Sequence, residues 1–229
     1  MYSDLFSASS VQDLMAVLPS LPYAIWETFY VTVLSTLLSL VLGLPLGVLL
    51  VAGEKNGVLP LPRWLLQVLN VIINLLRSVP FLILMIMVFP LSRLIIGTAV
   101  GTTATIVPLV VAAAPFIARL VESSIKEIDP GVIEAAQSMG CSPWEIVTRV
   151  YLKEGIPGIA RGVTITLISL INFTAIAGTI GAGGLGNFAL MYGHSKNLPD
   201  ITVVVILIII VLVSLVQAAG NYVVNRSTH

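Results

Sequence analysis

The fold class is decided by residues 203–213, VVVILIIIVLV, a run that contains no polar side chain. It lies inside an apolar stretch from Ile201 to Val224, and about 20 apolar residues suffice for a helix to cross a bilayer. The whole chain has this character, since 57% of its 229 residues are hydrophobic and 10% are charged. A soluble domain is about 45–50% apolar and roughly a quarter charged. The sequence therefore predicts an all-α integral membrane protein.

Four further stretches are long enough to cross the membrane, which gives five transmembrane helices in one domain over residues 1–229. The second is too long for one straight crossing, so we expect Pro80 to kink it. The part before the kink, Trp64 to Leu76, would then be tilted or lie along the membrane surface. The predicted spans lie near residues 24–52, 65–96, 99–122, 157–180 and 201–224.

The orientation of the spans follows from the distribution of Lys and Arg, which favour the cytoplasmic side. With the N-terminus outside and the C-terminus inside, eight of the eleven basic residues fall inside, and only Arg93 and Lys196 fall outside. Arg77 lies near a membrane boundary, where we expect it to anchor the helix rather than contact the long inner loop.

Composition also excludes several functional classes. Eleven basic residues balance eleven acidic ones, which argues against a nucleic-acid binder driven by bulk charge. The single cysteine, Cys141, excludes a disulfide framework, and two dispersed histidines do not suggest a metal site. The chain contains no phosphate-binding G-x-x-x-x-G-K-[ST] motif and no intramembrane catalytic pair. We therefore expect no enzyme activity, cofactor or metal on this chain.

The longest polar stretch, residues 123–156, is expected to hold two short helices on the inner side. Asp129 followed by Pro130 is typical of a helix start, and Gly140 of a helix end. Ser142 and Glu145 have capping-box spacing and predict a second start. One face of the first helix carries Val132, Ala136 and Met139.

These two short helices meet at Gly140 and would form a bent platform beneath the membrane. From the residues alone, the platform is equally well interpreted as a passive connector or as a docking element. Its sequence resembles the EAA motif of ABC importer permeases at Glu134, Ala135, Ala136 and Gly140. The resemblance implies a cytoplasmic coupling helix that enters a cleft in an ATPase subunit. The chain departs from the family pattern at one point, because Lys153 stands where a proline is expected. This departure concerns where the helix breaks and leaves the coupling assignment unchanged.

Three further segments resemble the methionine-uptake permeases in particular. They are LRSVPF at residues 76–81, APFIAR at residues 114–119 with Glu122, and GAGGLG at residues 181–186. The glycine-rich segment is less specific, because osmoprotectant permeases carry a similar one. It also satisfies G-x-G-x-x-G, but a membrane helix precedes it, so we interpret it as a sharp outer turn and not as a nucleotide site.

The resemblance implies a type I importer in a bacterial inner membrane that works by alternating access. Its parts would be a homodimer of this chain in membrane lipid, two cytoplasmic ATPases that bind ATP and Mg²⁺, and an extracytoplasmic binding protein, often a lipoprotein. The cargo would be methionine, in its L or D form, and related compounds. Two alternatives remain at this point: the same machine with a quaternary-ammonium cargo, and a membrane protein that does not transport.

The fourth span is the most polar of the five and is the candidate for the translocation path. Hydroxyl groups on a membrane helix often bond to their own backbone, so Thr166 and Ser169 are equally well explained by packing. Asn172 is harder to explain in this way, because its amide is costly in hydrocarbon. The polar arc comprises Gly162, Thr166, Ser169, Asn172 and Thr179.

Charged residues at the membrane boundaries are expected to be structural. Arg119, Glu122 and Lys126 are helical neighbours and predict a solvated face that extends the third span inward. Glu27, beside Trp26 at the outer start of the first span, is expected to lie at the membrane interface.

Overall fold

The structure is a computed structural model that describes residues 15–227. These residues form helices and connecting turns, without a β-strand in the described range. A 3₁₀ turn, Leu18–Ser20, leads into α1, and two π-helical stretches lie at Ile146–Tyr151 and Ala189–His194. The α-helices are α1 (Leu21–Ala52), α2 (Arg63–Ser78), α3 (Phe81–Ile96), α4 (Ile106–Lys126), α5 (Pro130–Ser138), α6 (Pro143–Glu145), α7 (Leu152–Glu154), α8 (Ile156–Gly178), α9 (Gly184–Phe188) and α10 (Pro199–Ser227).

Four helices, α1, α4, α8 and α10, are long and apolar enough to cross a membrane, and the number becomes five when the pair α2–α3, bent by 114° at its break, is counted as one span. The expected break in the second span is confirmed. Helix α2 ends at Ser78, Val79 is extended with ψ 129°, and α3 starts at Phe81 directly after Pro80. Proline disfavours the helical conformation in the residue before it, which explains the position of the break.

The third span begins later than the sequence suggested, at Ile106 instead of near residue 99. Residues 97–105 form turns, in which Gly97 and Gly101 have φ angles of +88° and +107°. The Thr105 hydroxyl donates to the Gly101 carbonyl at 2.9 Å. These apolar but glycine-interrupted residues are a connection and not part of the helix.

Contacts divide the chain into two units. The first comprises the chain up to Ser35, Phe81–Leu109 and Leu167–Gln217, and the second comprises Thr36–Pro80, Val110–Thr166 and the chain from Ala218. Helices α1, α4, α8 and α10 each contribute residues to both units.

The first unit has an apolar cluster that joins α1, α9 and α10. It consists of Leu21, Ala24, Leu185, Phe188, Ile201 and Val205. The rings of Phe81 and Phe173 stack with their centroids 4.5 Å apart, which packs the start of α3 against α8.

The second unit is built around the inner part of α4. One face of α4 packs against α1, where Gly43 and Gly47 allow close approach to Ala114 and Ala118. The core also includes side chains from the polar stretch between α4 and α8. Its buried members are Ala52, Val58, Ile117, Val121, Ile125, Ala136, Ile146, Val147 and Tyr151.

Candidate functional site

The helix α5 begins as the sequence indicates. Asp129 is its N-cap residue, and its carboxylate accepts a hydrogen bond of 2.8 Å from the Gly131 N–H. Pro130 occupies the first helical position, where a missing N–H costs nothing. This local chemistry fixes the start of the predicted coupling segment without help from the rest of the fold.

The helix ends in a Schellman motif centred on Gly140, whose φ is +80°. The Gly140 N–H donates to the Gln137 carbonyl at 3.0 Å, and the Cys141 N–H donates to the Ala136 carbonyl at 3.1 Å. Cys141 also packs against the cluster that contains Ala136, which is the apolar contact that often accompanies this motif. Gly140 is therefore required by the backbone conformation of the turn.

The four residues of the coupling motif do not share one environment. Ala136 is buried, with 4% exposure, whereas Glu134, Ala135 and Gly140 are exposed. Ala136 packs against the core, so only Glu134, Ala135 and Gly140 of these four residues lie on the surface of the chain.

Of the three residues that the sequence places on one face of the helix, only Ala136 is buried. Val132 is 43% exposed and Met139 is 78% exposed. Ile133 packs against the core instead, because the helix is rotated so that positions 133 and 136 face inward. The two exposed apolar side chains enlarge the surface that α5 presents to solvent.

The second helix starts with the expected capping box. The Ser142 N–H and the Ser142 hydroxyl both donate to a Glu145 carboxylate oxygen at 2.9 Å, and the Ser142 N–H is the main reason that the pKa of Glu145 lies below its ordinary value. Arg149 Nη1 lies 3.7 Å from Glu145 Oε1. The helix continues through Lys153, the position at which the family pattern has a proline, and it is interrupted at Gly155. The helix break that the sequence left undetermined therefore lies at Gly155.

The platform is fixed to the membrane helix α4 by apolar contacts. Ala136 of α5 and Ile146, Val147 and Tyr151 of the π-helical stretch share one buried cluster with α4. A force applied to the exposed face of α5 is therefore transmitted to α4 through close packing.

The charged residues at the inner end of α4 form a partly buried network. The prediction of a solvated face is wrong for Arg119 and Glu122, whereas Lys126 is exposed as expected. Glu122 is 9% exposed and accepts from Arg119 at 2.5 Å and from Lys126 at 2.9 Å. The other guanidinium nitrogen of Arg119 donates to Asn70 and Asn74 of α2 at 2.7 and 2.9 Å. The amide groups of α2 could not be recognised as partners from helical spacing, because they lie on another helix.

Replacing Arg119 by methionine is expected to destabilise the protein by about 2 kcal/mol, since Glu122 then keeps only Lys126 and both asparagines lose a donor. The matched control is Arg149→Met, whose side chain is 76% exposed and should contribute less than about 0.5 kcal/mol. Thermal unfolding of the detergent-solubilised proteins measures both changes. Equal effects of the two substitutions would contradict the importance of the network.

Arg77 lies at the end of α2, with its guanidinium 6.0 Å from the centroid of the Phe116 ring. Phe116 belongs to α4, so the contact joins two membrane helices and supports the structural role expected for Arg77.

The three candidate pathway residues lie on α8 at different depths. Thr166 is buried, and its hydroxyl donates to the Gly162 carbonyl at 2.8 Å. This bond to the backbone of its own helix agrees with the packing role that the sequence offered as the alternative to a pathway role. Ser169 is half-buried, and Asn172 is exposed. Asn172 belongs to a stripe of exposed α8 residues within an arc of about 60° at 100° per residue. The stripe comprises Arg161, Ile165, Asn172 and Ile176.

Glu27 has a role that the sequence did not reveal. Its carboxylate accepts from the Thr102 hydroxyl at 2.6 Å and from the Gly184 N–H at 2.8 Å. The next residue, Thr28, accepts from the Leu185 N–H at 2.9 Å. The start of α1 thus holds the glycine-rich turn. The partners lie 75 and 157 residues away in the chain, so no local pattern indicates them.

Comparison with known proteins assigns this arrangement to a family. The family model described as "Binding-protein-dependent transport system inner membrane component" matches residues 43–229. The chain is 45% identical over 209 residues to the probable D-methionine transport system permease protein MetI of Vibrio cholerae, covering 90% of this chain and 91% of the relative. It is 42% identical to the methionine import system permease protein MetP of Bacillus subtilis, over 69% and 72% of the two chains.

Solved structures give the same result. A chain from inward-facing conformations of the MetNI methionine ABC transporter matches with a TM-score of 0.90 at 40% identity, covering 93% of this chain and 99% of that chain. A chain of an amino acid ABC transporter crystallised with histidines matches with a TM-score of 0.77 at 18% identity, over 94% and 97% of the chains, and supports the fold alone. The resemblance to ABC importer permeases is confirmed, and this chain belongs to the family of binding-protein-dependent transport system inner membrane components.

Proposed function

We propose that the chain is the membrane-spanning subunit of a bacterial inner-membrane importer for methionine, in the L or D form, and related compounds. The observation that carries the proposal is the similarity to relatives named as methionine permeases, at 42–47% identity and over as much as 90% of this chain. The match of the whole fold to a methionine ABC transporter chain supports it.

Energy for transport is proposed to come from two cytoplasmic ATPase subunits that bind ATP and Mg²⁺ and dock on α5. Glu134, Ala135 and Gly140 supply the contact surface, because they are exposed. Ala136 supplies the connection to α4. Closure of the ATPases on ATP would move the two platforms of a homodimer together and change access to the pathway.

The exposed stripe of α8 is proposed to face the second copy of the chain and the translocation path between the copies. Asn172 lies between Ile165 and Ile176 on this stripe, and in an isolated chain its amide would face hydrocarbon at considerable cost. A homodimer removes this cost by giving the amide a polar or wet environment, and two-fold symmetry is the usual way to build such a pair. Ser169, on the edge of the stripe, and Thr166 complete the proposed pathway face.

Asn172→Leu is expected to reduce methionine uptake at least tenfold while the assembled transporter is recovered in normal amount. The change replaces the amide by an apolar group with the same number of side-chain heavy atoms at an exposed position, so the packing of α8 within the chain should be kept. Asn172→Ser, which retains a polar group, should recover part of the uptake. Unchanged uptake in the leucine variant, with normal assembly, would exclude Asn172 from the path.

The proposed function is tested by reconstituting the permease with its ATPase and its binding protein in proteoliposomes. We expect methionine to stimulate ATP hydrolysis and to accumulate inside the vesicles. Glycine betaine, supplied in parallel, should do neither. Accumulation of glycine betaine without methionine would reject the assignment of the cargo, and hydrolysis without any accumulation would reject transport.

A further inference from the structure

A cavity of about 320 Å³ lies beside the glycine-rich turn, on the side predicted to be outside. Glu27 and Thr102 line its polar part, and Tyr23, Phe188, Met191 and Tyr192 line its apolar part. Tyr23 is 67% exposed and Met191 is 53% exposed, so both are accessible to a partner. Tyrosine and methionine are residue types enriched in protein interfaces.

The charge of Glu27 is not balanced within the described part of the chain. Its two hydrogen-bond donors, the Thr102 hydroxyl and the Gly184 N–H, are neutral. No ion pair joins Glu27 to a Lys, Arg or His among the described residues, and none of these basic types lines the cavity. A cation that enters the cavity would therefore be the first charged partner of the Glu27 carboxylate among the groups described, and hydrogen bonds between charged groups are the stronger ones.

The aromatic wall is suited to the same kind of group. Phe188 and Tyr192 pack with their ring centroids 4.8 Å apart. The ammonium of Lys196, which does not line the cavity, lies 4.6 Å from the Tyr192 ring centroid. This contact is within the range of a cation–π interaction. A carboxylate beside aromatic rings therefore offers an ammonium or guanidinium group both charge and ring contacts.

From this geometry we infer that the cavity receives a lysine or arginine side chain of the extracytoplasmic binding protein. This inference rests on the proposed function, which supplies the partner. A free amino acid fits less well, because its carboxylate would find no basic side chain in the cavity, whereas a lysine or arginine side chain brings only the cation. Docking would place the partner's cation against Glu27, which holds the glycine-rich turn. Because this turn follows α8 directly, binding would also affect the outer end of α8.

The test measures the affinity of the binding protein, prepared without its lipid anchor, for the complete transporter in nanodiscs. Glu27→Gln keeps an oxygen that accepts from Thr102 or Gly184 but removes the charge. We expect its affinity to fall about tenfold or more at low salt, and the difference from the parent to shrink as salt rises. Tyr23→Lys leaves Glu27 and its hydrogen bonds in place and adds a competing ammonium at the mouth of the cavity. It should weaken binding similarly, which covers the case in which Glu27→Gln does not assemble.

The matched control is His194→Lys, which adds a basic side chain at an exposed position that does not line the cavity and should leave the affinity within about twofold of the parent. The inference is overturned if Tyr23→Lys binds as the parent does. It is also overturned if Lys196→Gln weakens binding as much as Glu27→Gln, since the cation would then be the chain's own. Glu27-dependent binding of free methionine by the permease alone would likewise overturn it. Methionine uptake by the parent is scored separately, so failure of the proposed cargo is distinguished from failure of the cavity.

Discussion

Combining Glu134→Lys with Gly140→Pro is expected to abolish ATP-driven uptake while the chain remains in the membrane. Proline is fixed near φ −65° and has no N–H, whereas Gly140 has φ +80° and donates to the Gln137 carbonyl. The end of α5 must therefore rearrange. Glu134 is exposed on the same helix, and reversing its charge changes the surface offered to an ATPase. Uptake in vesicles and co-purification of the ATPase measure the two consequences.

The control for this prediction is Gly140→Asn, because asparagine tolerates the left-handed conformation better than other non-glycine residues. We expect it to retain most of the uptake, and Gly140→Ala to lie between the two. If the proline and lysine variant transports methionine at the parental rate, α5 is not the coupling element. If Gly140→Asn is as inactive as the proline variant, the backbone explanation for position 140 fails.

Gly178→Ala is expected to be the most destabilising single-methyl change in the outer part of α8. A Cβ at this position would lie 2.5 Å from the carbonyl carbon of Gly186 and closer still to the amide nitrogen of Asn187. Both neighbours are backbone atoms and cannot move aside as a side-chain tip can. We expect a loss of about 3 kcal/mol, which corresponds to a fall of roughly 6–12 °C in Tm.

The comparison for Gly178 is Gly131→Ala, where the nearest atom to the new Cβ is a carboxylate oxygen of Asp129 at 3.2 Å. This oxygen also accepts the N-cap hydrogen bond from the Gly131 N–H. It is the tip of a side chain and needs to shift by only a few tenths of an ångström, so the change should be close to neutral. Fluorescence-detected size-exclusion chromatography after heating measures Tm for both variants. A similar Tm for the parent and both variants would show that α8 and α9 do not approach as closely as described here.

Features set by neighbouring residues could be predicted from the sequence. The N-cap at Asp129, the capping box at Ser142 and Glu145, and the helix break at Pro80 each depend on interactions within a few positions. Long apolar runs likewise identify the spans, since bilayer thickness sets their minimum length. These regularities gave the all-α fold, the helices long enough to cross a membrane, and the two short helix starts between α4 and α8.

Features that depend on distant partners could not be predicted. Local spacing could not show that Glu27 holds the glycine-rich turn, because the amide it accepts from lies 157 residues away. The rotation of α5 that buries Ala136 and exposes Met139 is set by packing on α4. The later start of α4 at Ile106 reflects two glycine turns, which a hydropathy average treats as apolar sequence.

The hydrogen bonds between α2 and Arg119 also constrain how the protein is made. Asn70 and Asn74 leave the ribosome 49 and 45 residues before the arginine that satisfies them. Until Arg119 emerges, Asn70 and Asn74 have no partner on α4, and the aqueous boundary of the membrane is the least costly place for their amide groups. We therefore expect α2 to stay at the bilayer surface during synthesis until α4 has been made and Arg119 can donate to the two asparagines.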